Sequence, residues 1–514
     1  MLRSLIFIFF LHYLINSTAS DKPCDPVNFG EGSIVCRCNS TYCDEYDDPV
    51  LPTENEFIWY ASSKAGLRLH RENGKISSTT RSSHKIRINA NKRYQSVEGF
   101  GGAFTDAAGI NIKNLSVEAQ DNLLSSYFGP KGAKYNLGRV PIGGSDFSTR
   151  GYTYDDTPGD ERLEHFNLAN DDLEYKIPVM KKALELNPEL RFLSAAWTAP
   201  IWMKNEPKYY GYSYLQKDYY QAFSNYLIKF LEAYKEHGLD MWAISTGNEP
   251  FTTLLPVKIS SMFWAPSTVS KWVVENFGPT LQKSSSNNTI ILMVDDQRLY
   301  LPWFMLAVKT FDKQALSYIS GVGVHWYTDD FVPASFLDLT HKFIPDKFIL
   351  MTEACVGDKP WEHPKVILGS WARAERLMGK MLQNLNHWVT GWVDWNLALN
   401  EQGGPNWIEN FVDAPIIVDG SIDSFYKQPM FYVLTHFSKF VPRGSVRIES
   451  ISQNAHVQSI AFTSKSDQTI VILFNKSEKK QQISVVDDRV GAIDIELPAS
   501  SFHTILYSGS SKLL

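Results

Sequence analysis

From about residue 96 onward the chain repeats one pattern: a short apolar run, a polar break, then a longer stretch with apolar residues three or four apart. Unbroken apolar runs and period-two alternation mark strands, and a period of 3.6 marks helices. The pattern predicts strands at 96–105, 134–142, 190–198, 241–248, 289–295, 320–327, 347–354 and 389–397. Between them it predicts helices at 117–128, 171–186, 216–238, 267–283, 299–318 and 371–386. The clearest is 216–238, where Tyr219, Phe223, Tyr226, Leu227, Phe230 and Tyr234 share one face and Gly238 ends the periodicity.

Eight buried strands alternating with helices predict the α/β class and a (β/α)8 TIM barrel over residues 95–430. The competing doubly wound sheet usually carries a glycine-rich phosphate loop after its first strand. Gly99-Phe100-Gly101-Gly102 lacks that spacing and reads as tight packing. Segments 56–60, 66–70 and 84–89 precede the barrel and alternate with period two; so do 445–450, 456–463, 469–474, 481–486, 492–497 and 502–507 after it. They predict an additional β-sandwich domain built from both chain ends, 51–94 and 431–514.

A barrel of this kind places its active site at the C-terminal ends of its strands. Those ends carry Arg139 and Asp146, Trp197, Asn248 and Glu249, then His325, Trp326 and Tyr327, then Glu353, and finally Asp394, Trp395 and Asn396. Two segments have the same construction. WAISTGNEP releases Glu249 at the exit of an apolar run, and FILMTEACVG releases Glu353. Singly each residue has a packing role to play. Jointly they bring two carboxylates, a cation and flat aromatic faces to one mouth, which is what cleavage of a glycosidic bond requires. One glutamate must hold a proton for the leaving oxygen, and the other must be ionised to attack the anomeric carbon. Arg139 and Tyr327 are expected to hold Glu353 as the anion, below Glu249 in pKa, and Asn248 to offer its amide to a sugar hydroxyl.

Composition narrows the class. The 514 residues are 44% hydrophobic with a net charge of −6 and no basic block, so nothing favours nucleic acid. Residues 1–20 read as a secretory signal: Arg3, an apolar stretch, then Thr18-Ala19-Ser20. Four of five cysteines, Cys24, Cys36, Cys38 and Cys43, fall within residues 21–50, a disulfide framework with three alternative pairings. A zinc knot competes, but no histidine lies nearby. Cys355 is expected to be a buried free thiol. Sequons at Asn39, Asn114, Asn287 and Asn475 fit N-glycosylation on a secretory route. The histidines are scattered, with no HExxH and no Asp-rich cluster, so neither metal nor cofactor is expected.

These residues resemble a known family over nearly the whole mature length. The matching stretches are CRCNSTYCD at 36–44, GFGGAFTDAA at 99–108, GRVPIGGSDFS at 138–148, AWTAPIWMK at 196–204, GNEP at 247–250, VHWY at 324–327, TEACVG at 352–357 and GWVDWNLALNEQGGPNWIENFVDAPIIVD at 391–419. They are similar to the lysosomal acid β-glucosidases, the glucosylceramidases of glycoside hydrolase family 30. The resemblance implies Glu249 as acid/base, Glu353 as nucleophile, and glucose contacts at Asp146, Trp197, Asn248, Trp395 and Asn410. It also implies a retaining mechanism, disulfides Cys24–Cys36 and Cys38–Cys43, and glucosylceramide at a membrane surface as substrate. A lysosomal or secreted location and a saposin-like activator protein are implied too, while a homodimer is left open. The chain departs from the family's best-known members at Ser145, at Thr246-Gly247 and across 251–266, including Phe251, Phe263 and Trp264. Two other readings compete: an endo-β-glycanase on xylan or β-1,6-glucan, and a catalytically inactive sugar- or lipid-binding homologue.

Overall fold

The computed structural model describes residues 22–50 and 52–509, so the signal sequence expected at 1–20 lies outside the described residues. Eight parallel strands close into a barrel: β1 (Gly99–Ala103), β2 (Leu137–Ile142), β3 (Arg191–Ala196), β4 (Met241–Ser245), β5 (Ile290–Gln297), β6 (Ile319–His325), β7 (Phe348–Glu353) and β8 (Val389–Asn396). Neighbours in sequence pair in parallel, and β8 pairs with β1 to close the ring. Every expected barrel strand is present, generally a few residues shorter than its apolar run. One layer of the barrel interior is a single apolar cluster of Leu137, Leu193, Ala243, Leu292, Leu350 and Val393, which fills the tube and leaves chemistry to its upper rim.

The glycines of the first strand are where the ring is tightest. A Cβ at Gly101 would sit 1.7 Å from the carbonyl oxygen of Leu137, and one at Gly391 would sit 2.2 Å from that of Gly99. Only glycine permits these approaches.

The helices follow the sequence pattern with instructive breaks. Helix 371–386 is continuous, while 171–186 and 267–283 each contain a π turn, at Asp172–Lys176 and Val273–Phe277. Pro178 and Pro279 each stand two residues after the end of these turns. A proline has no N–H for the i→i−4 ladder, and a wider turn absorbs that loss. Three helices had no expectation: Asp106–Lys113, Ser335–Phe343 and Pro429–Ser438. The first is capped by Thr105, whose side chain accepts from the Ala108 N–H at 3.0 Å. The last packs on the barrel, with Phe437 against Phe100 and Phe431 against Tyr127, and the strands of the C-terminal part begin only at Val446.

Those strands form a nine-stranded sheet with Glu56–Ser63, His70–Lys75 and Lys85–Ser96, so both chain ends build it. Its apolar core joins Ile86, Ile483 and Ile495 to Leu473, Ile505 and Tyr507, the two halves of the sheet facing one another. The expected strand at 66–70 is a turn instead, with Gly66 at φ 112° and Leu69 at φ 47°, and the strand starts at His70. Strands Pro26–Asn28 and Ile34–Asn39 join a separate five-stranded sheet with segments that follow β8. Both disulfides form there as the resemblance implied, Cys24–Cys36 and Cys38–Cys43.

Of the four sequons, Asn114 and Asn287 are exposed and Asn39 is half-buried. Asn475 corrects the expectation. It is fully buried, and its Nδ2, the atom a glycan would occupy, donates to the carbonyls of Lys479 and Pro498 at 3.1 and 2.6 Å. Substituting Gly101→Ala is expected to destabilise the fold by about 3 kcal/mol, read as a lower melting temperature against wild type; an unchanged melting temperature would refute the close approach of β1 and β2.

Candidate active site

The rim of the barrel surrounds a cavity of about 430 Å³ lined by Asp146, Trp197, Asn248, Glu249, Tyr327, Glu353, Trp395 and Asn410 among others. The seven residues named from the sequence as catalytic or sugar-contacting meet there with Tyr327, expected to hold Glu353. Arg139 and His325 lie just beneath, fully buried. Three residues from the strand-end list stay out of the cavity. Trp326 packs against Trp392 under the Arg376 guanidinium, Asn396 accepts from Thr105, and Asp394 is buried beside Trp392.

Local backbone sets each carboxylate. After β4 the chain turns in: Thr246 N–H donates to Leu292, Asn248 to Ala196 and Glu249 to Asp295, which stitches the segment between the ends of β3 and β5. Glu249 sits in the left-handed region at φ 43° and ψ 60°, a conformation that costs a non-glycine residue of order 1–3 kcal/mol. Glu353 ends β7. One oxygen of each glutamate and one ring nitrogen of His325 lie within 4.8 Å of one another. An approach that close falls on the side of retaining glycosidases, whose carboxyl pairs lie roughly 5–5.5 Å apart, and short of the roughly 6.5–9.5 Å of inverting ones.

Beneath the pair lies a group the sequence reading did not name. Asp295, wholly buried, accepts from Arg139 at 3.1 Å, from His325 Nε2 at 3.1 Å and from Thr352 at 2.5 Å. Arg139 then donates to Glu353 and, at 2.5 Å, to Asn248 Oδ1, while His325 Nδ1 reaches Glu249 at 2.8 Å. One anion thus orients two cations, and each cation serves one glutamate. Arg139 also lies under both indoles, 5.0 Å from the Trp197 ring and 5.4 Å from Trp395, which stack at 5.2 Å. Gln297 and Thr252 complete the set around Glu249 at 2.6 and 2.8 Å. Asp295, Asp296 and Gln297 end β5, and the strand-end rule applied to that strand would have found them. Val294 and Asp295 both have positive φ, 74° and 51°, at an irregularity in the pairing of β5 with β6. This bulge lets consecutive residues serve the site, Asp295 below and Asp296 in the cavity wall.

The electrostatic order differs from the expected one. Burial opposes charge at Glu249, but the hydrogen bond and charge of His325, helped by Thr252, hold it below the usual carboxylate range. At Glu353 burial prevails over His325 and Arg139, and the charge of Glu249 opposite raises it further. The reason is His325. Although burial opposes its charge, the carboxylates of Glu353, Asp295 and Glu249 raise it to about 10. The ring is therefore held as a cation, with Nδ1 2.8 Å from a Glu249 carboxylate oxygen. The two groups share one proton across that hydrogen bond and titrate as a pair. These three groups have the spacing of a metal cluster, but a doubly engaged imidazolium is the opposite of the neutral ligand a metal needs. Asp146, raised to about 7 by burial and then by Glu353, accepts from Asn410 and Asn406 at 3.1 and 3.3 Å. Tyr327 donates to Glu353 at 2.8 Å and lies 3.4 Å from Cys355, whose thiol burial keeps protonated.

Residues 97–441 match the glycosyl hydrolase family 30 TIM-barrel domain, and 444–505 match the family 30 beta sandwich domain. The chain belongs to glycosyl hydrolase family 30. It is therefore a glycoside hydrolase by family. It is 39% identical to the lysosomal acid glucosylceramidase of Mus musculus, covering 97% of this chain and 98% of that one. It is also 39% identical to putative glucosylceramidase 4 of Caenorhabditis elegans, covering 98% of each. A more distant family 30 relative is the endo-1,6-beta-D-glucanase neg1 of Aspergillus fumigatus, 28% identical over 74% of this chain and 78% of that one. Among solved structures, SrfJ from Salmonella typhimurium superposes with a TM-score of 0.82 at 25% identity, covering 88% of this chain and 99% of SrfJ.

Because its folded pKa of about 10 exceeds the ordinary 6.5, the His325 cluster contributes stability that is complete below 6.5 and lost as pH rises through 10. Nitrogen NMR of the imidazole is expected to show a doubly protonated ring through the neutral range. Asp295→Asn is expected to bring its titration back toward 6.5, and a ring titrating normally in the wild type would refute the cluster.

Proposed function

We propose that this family 30 hydrolase is a retaining β-glucosidase that cleaves glucosylceramide to glucose and ceramide. The observation that carries the reading is the pair Glu249 and Glu353, held within 4.8 Å of His325 and of one another at the cavity rim. The names of the two relatives at 39% identity support the substrate. Asp146, Asn410, Asn248, Trp197 and Trp395 offer the acceptors, donors and flat faces that a glucose ring needs, with Asp146 and Asn410 already paired.

In this reading Glu353 attacks the anomeric carbon, its C–O bond to ceramide breaks, and the ceramide oxygen takes the proton that Glu249 draws from His325. Glu249 and His325 then accept a proton from water, whose oxygen attacks the glucosyl ester, releases Glu353 and leaves β-glucose. Arg139 and Tyr327 hold the nucleophile's two oxygens apart from its partner. The ceramide leaves over an apolar rim: Leu255 and Phe331 line the cavity while remaining 51% and 72% exposed, with Leu254 and Trp361 also exposed. Such a rim suits a lipid presented at a membrane surface, and no described helix is long and apolar enough to cross one. Lysosomal residence by the secretory route, N-glycans at Asn114 and Asn287, a saposin-like activator and a homodimer belong to this reading as well.

Purified enzyme with glucosylceramide is expected to release β-glucose first, followed by NMR before mutarotation. First release of the α anomer, or faster cleavage of xylan or β-1,6-glucan, would overturn the proposal. Glu353→Gln should lower turnover by roughly 10³-fold or more, and Glu249→Gln by roughly 10²–10⁴-fold, less for a nitrophenyl glucoside whose leaving group needs no proton. The ascending limb of kcat/KM is expected above the ordinary glutamate value of 4.5, since burial raises Glu353. Glu249→Gln removes the charge opposite and should move that limb to lower pH; a limb that stays put would refute the electrostatic coupling.

A further inference from the structure

One wall of the cavity is a single loop. It leaves Glu249 through the helical turn Pro250–Leu254, and Phe251, Thr252, Leu255, Val257 and Ile259 line the cavity along it. Its far end is anchored outside the barrel, on the segment 204–215. Ser261 and Phe263 donate to the carbonyls of Tyr209 and Ser213 at 2.9 and 2.8 Å, and isolated bridges pair Tyr210 with Ser260 and Tyr214 with Phe263.

At this junction sits Lys204, 2% exposed. Its Nζ donates to Thr198 Oγ1 at 2.8 Å, to the Lys208 carbonyl at 2.6 Å and to the Ser261 carbonyl at 3.0 Å. All three N–H bonds are spent, each on a different segment: the loop leaving β3 one residue after Trp197, the 204–215 segment, and the cavity wall. None of the three acceptors is a carboxylate. Burying an ammonium without a paired anion is costly, and burial together with Lys208 pulls this one down to about 7. A methionine or leucine would fill the same space without that cost, but neither could hold three loops to one point.

We propose that Lys204 is a positioning residue that fixes the 251–266 wall against the Trp197 loop and so sets the shape of the aglycone side of the site. The assignment of that wall to the aglycone rests on the glucosylceramide reading above; the clamp itself does not. A buried carbonyl left without a donor costs more than its hydrogen bond contributes when made, so removing the ammonium leaves the buried Ser261 carbonyl without this donor, frees the Lys208 carbonyl and lets the wall move.

The test is Lys204→Met, assayed in acid well below 7, with Thr198→Val as a milder second variant that removes one acceptor. Hydrogen exchange in peptides spanning 255–266 is expected to quicken by about 10-fold in the first and about 3-fold in the second. KM for glucosylceramide in mixed micelles should rise several-fold more than KM for an aryl β-glucoside, with kcat on the two substrates falling alike. Unchanged exchange across 255–266 in both variants overturns the clamp. Quickened exchange with equal KM changes for lipid and aryl substrates overturns the aglycone assignment of this wall and leaves the clamp standing.

Discussion

Everything at the mouth of this barrel depends on one buried carboxylate holding two cations. Asp295 lies at the bottom of the site with Arg139 on one side and His325 on the other. Stripping these charges of water is expensive, and only mutual pairing with full hydrogen bonding offsets it. The arrangement therefore has little freedom: moving either cation leaves a buried anion unmatched. Since Arg139 holds Glu353 and His325 holds Glu249, the two carboxylates are positioned from beneath by ions as well as by the backbone that bears them.

The same network explains why proton affinity did not follow from residue type. Two glutamates at strand ends look equivalent in sequence. In the fold one faces an imidazolium and the other shares its arginine with Asp295 and Asn248. The acidic proton then belongs to a histidine–glutamate pair, which a single-residue argument has no means of anticipating. Backbone strain works to the same end. Glu249, Val294 and Asp295 all occupy conformations unfavourable to their side chains, and the closed ring of strands supplies the rigidity that keeps them there.

Around this fixed floor the rim is built differently. Its apolar side chains stand exposed on loops, and the Lys204 ammonium bonds to the one that carries Leu254 and Leu255, through Ser261, as well as to Thr198 and Lys208.

Much of this was legible in the chain. The strand and helix periods fixed the barrel and the paired ends of the second domain, because burial imposes a period on whatever it covers. Strand-end placement, with the family motifs, named eight of the residues that line the cavity, from Asp146 to Asn410, and missed Asp296 and Gln297. What escaped was of another kind. The 66–70 segment has the right alternation but two positive φ angles, Asn475 has a sequon but a buried nitrogen, and Trp326 and Asp394 stand at strand ends yet point away from the cavity. Sequence records the chemistry a residue owns and the rhythm of its segment. Which neighbours reach it across the barrel, and so how its proton is held, is decided only when strands distant in the chain close into one ring.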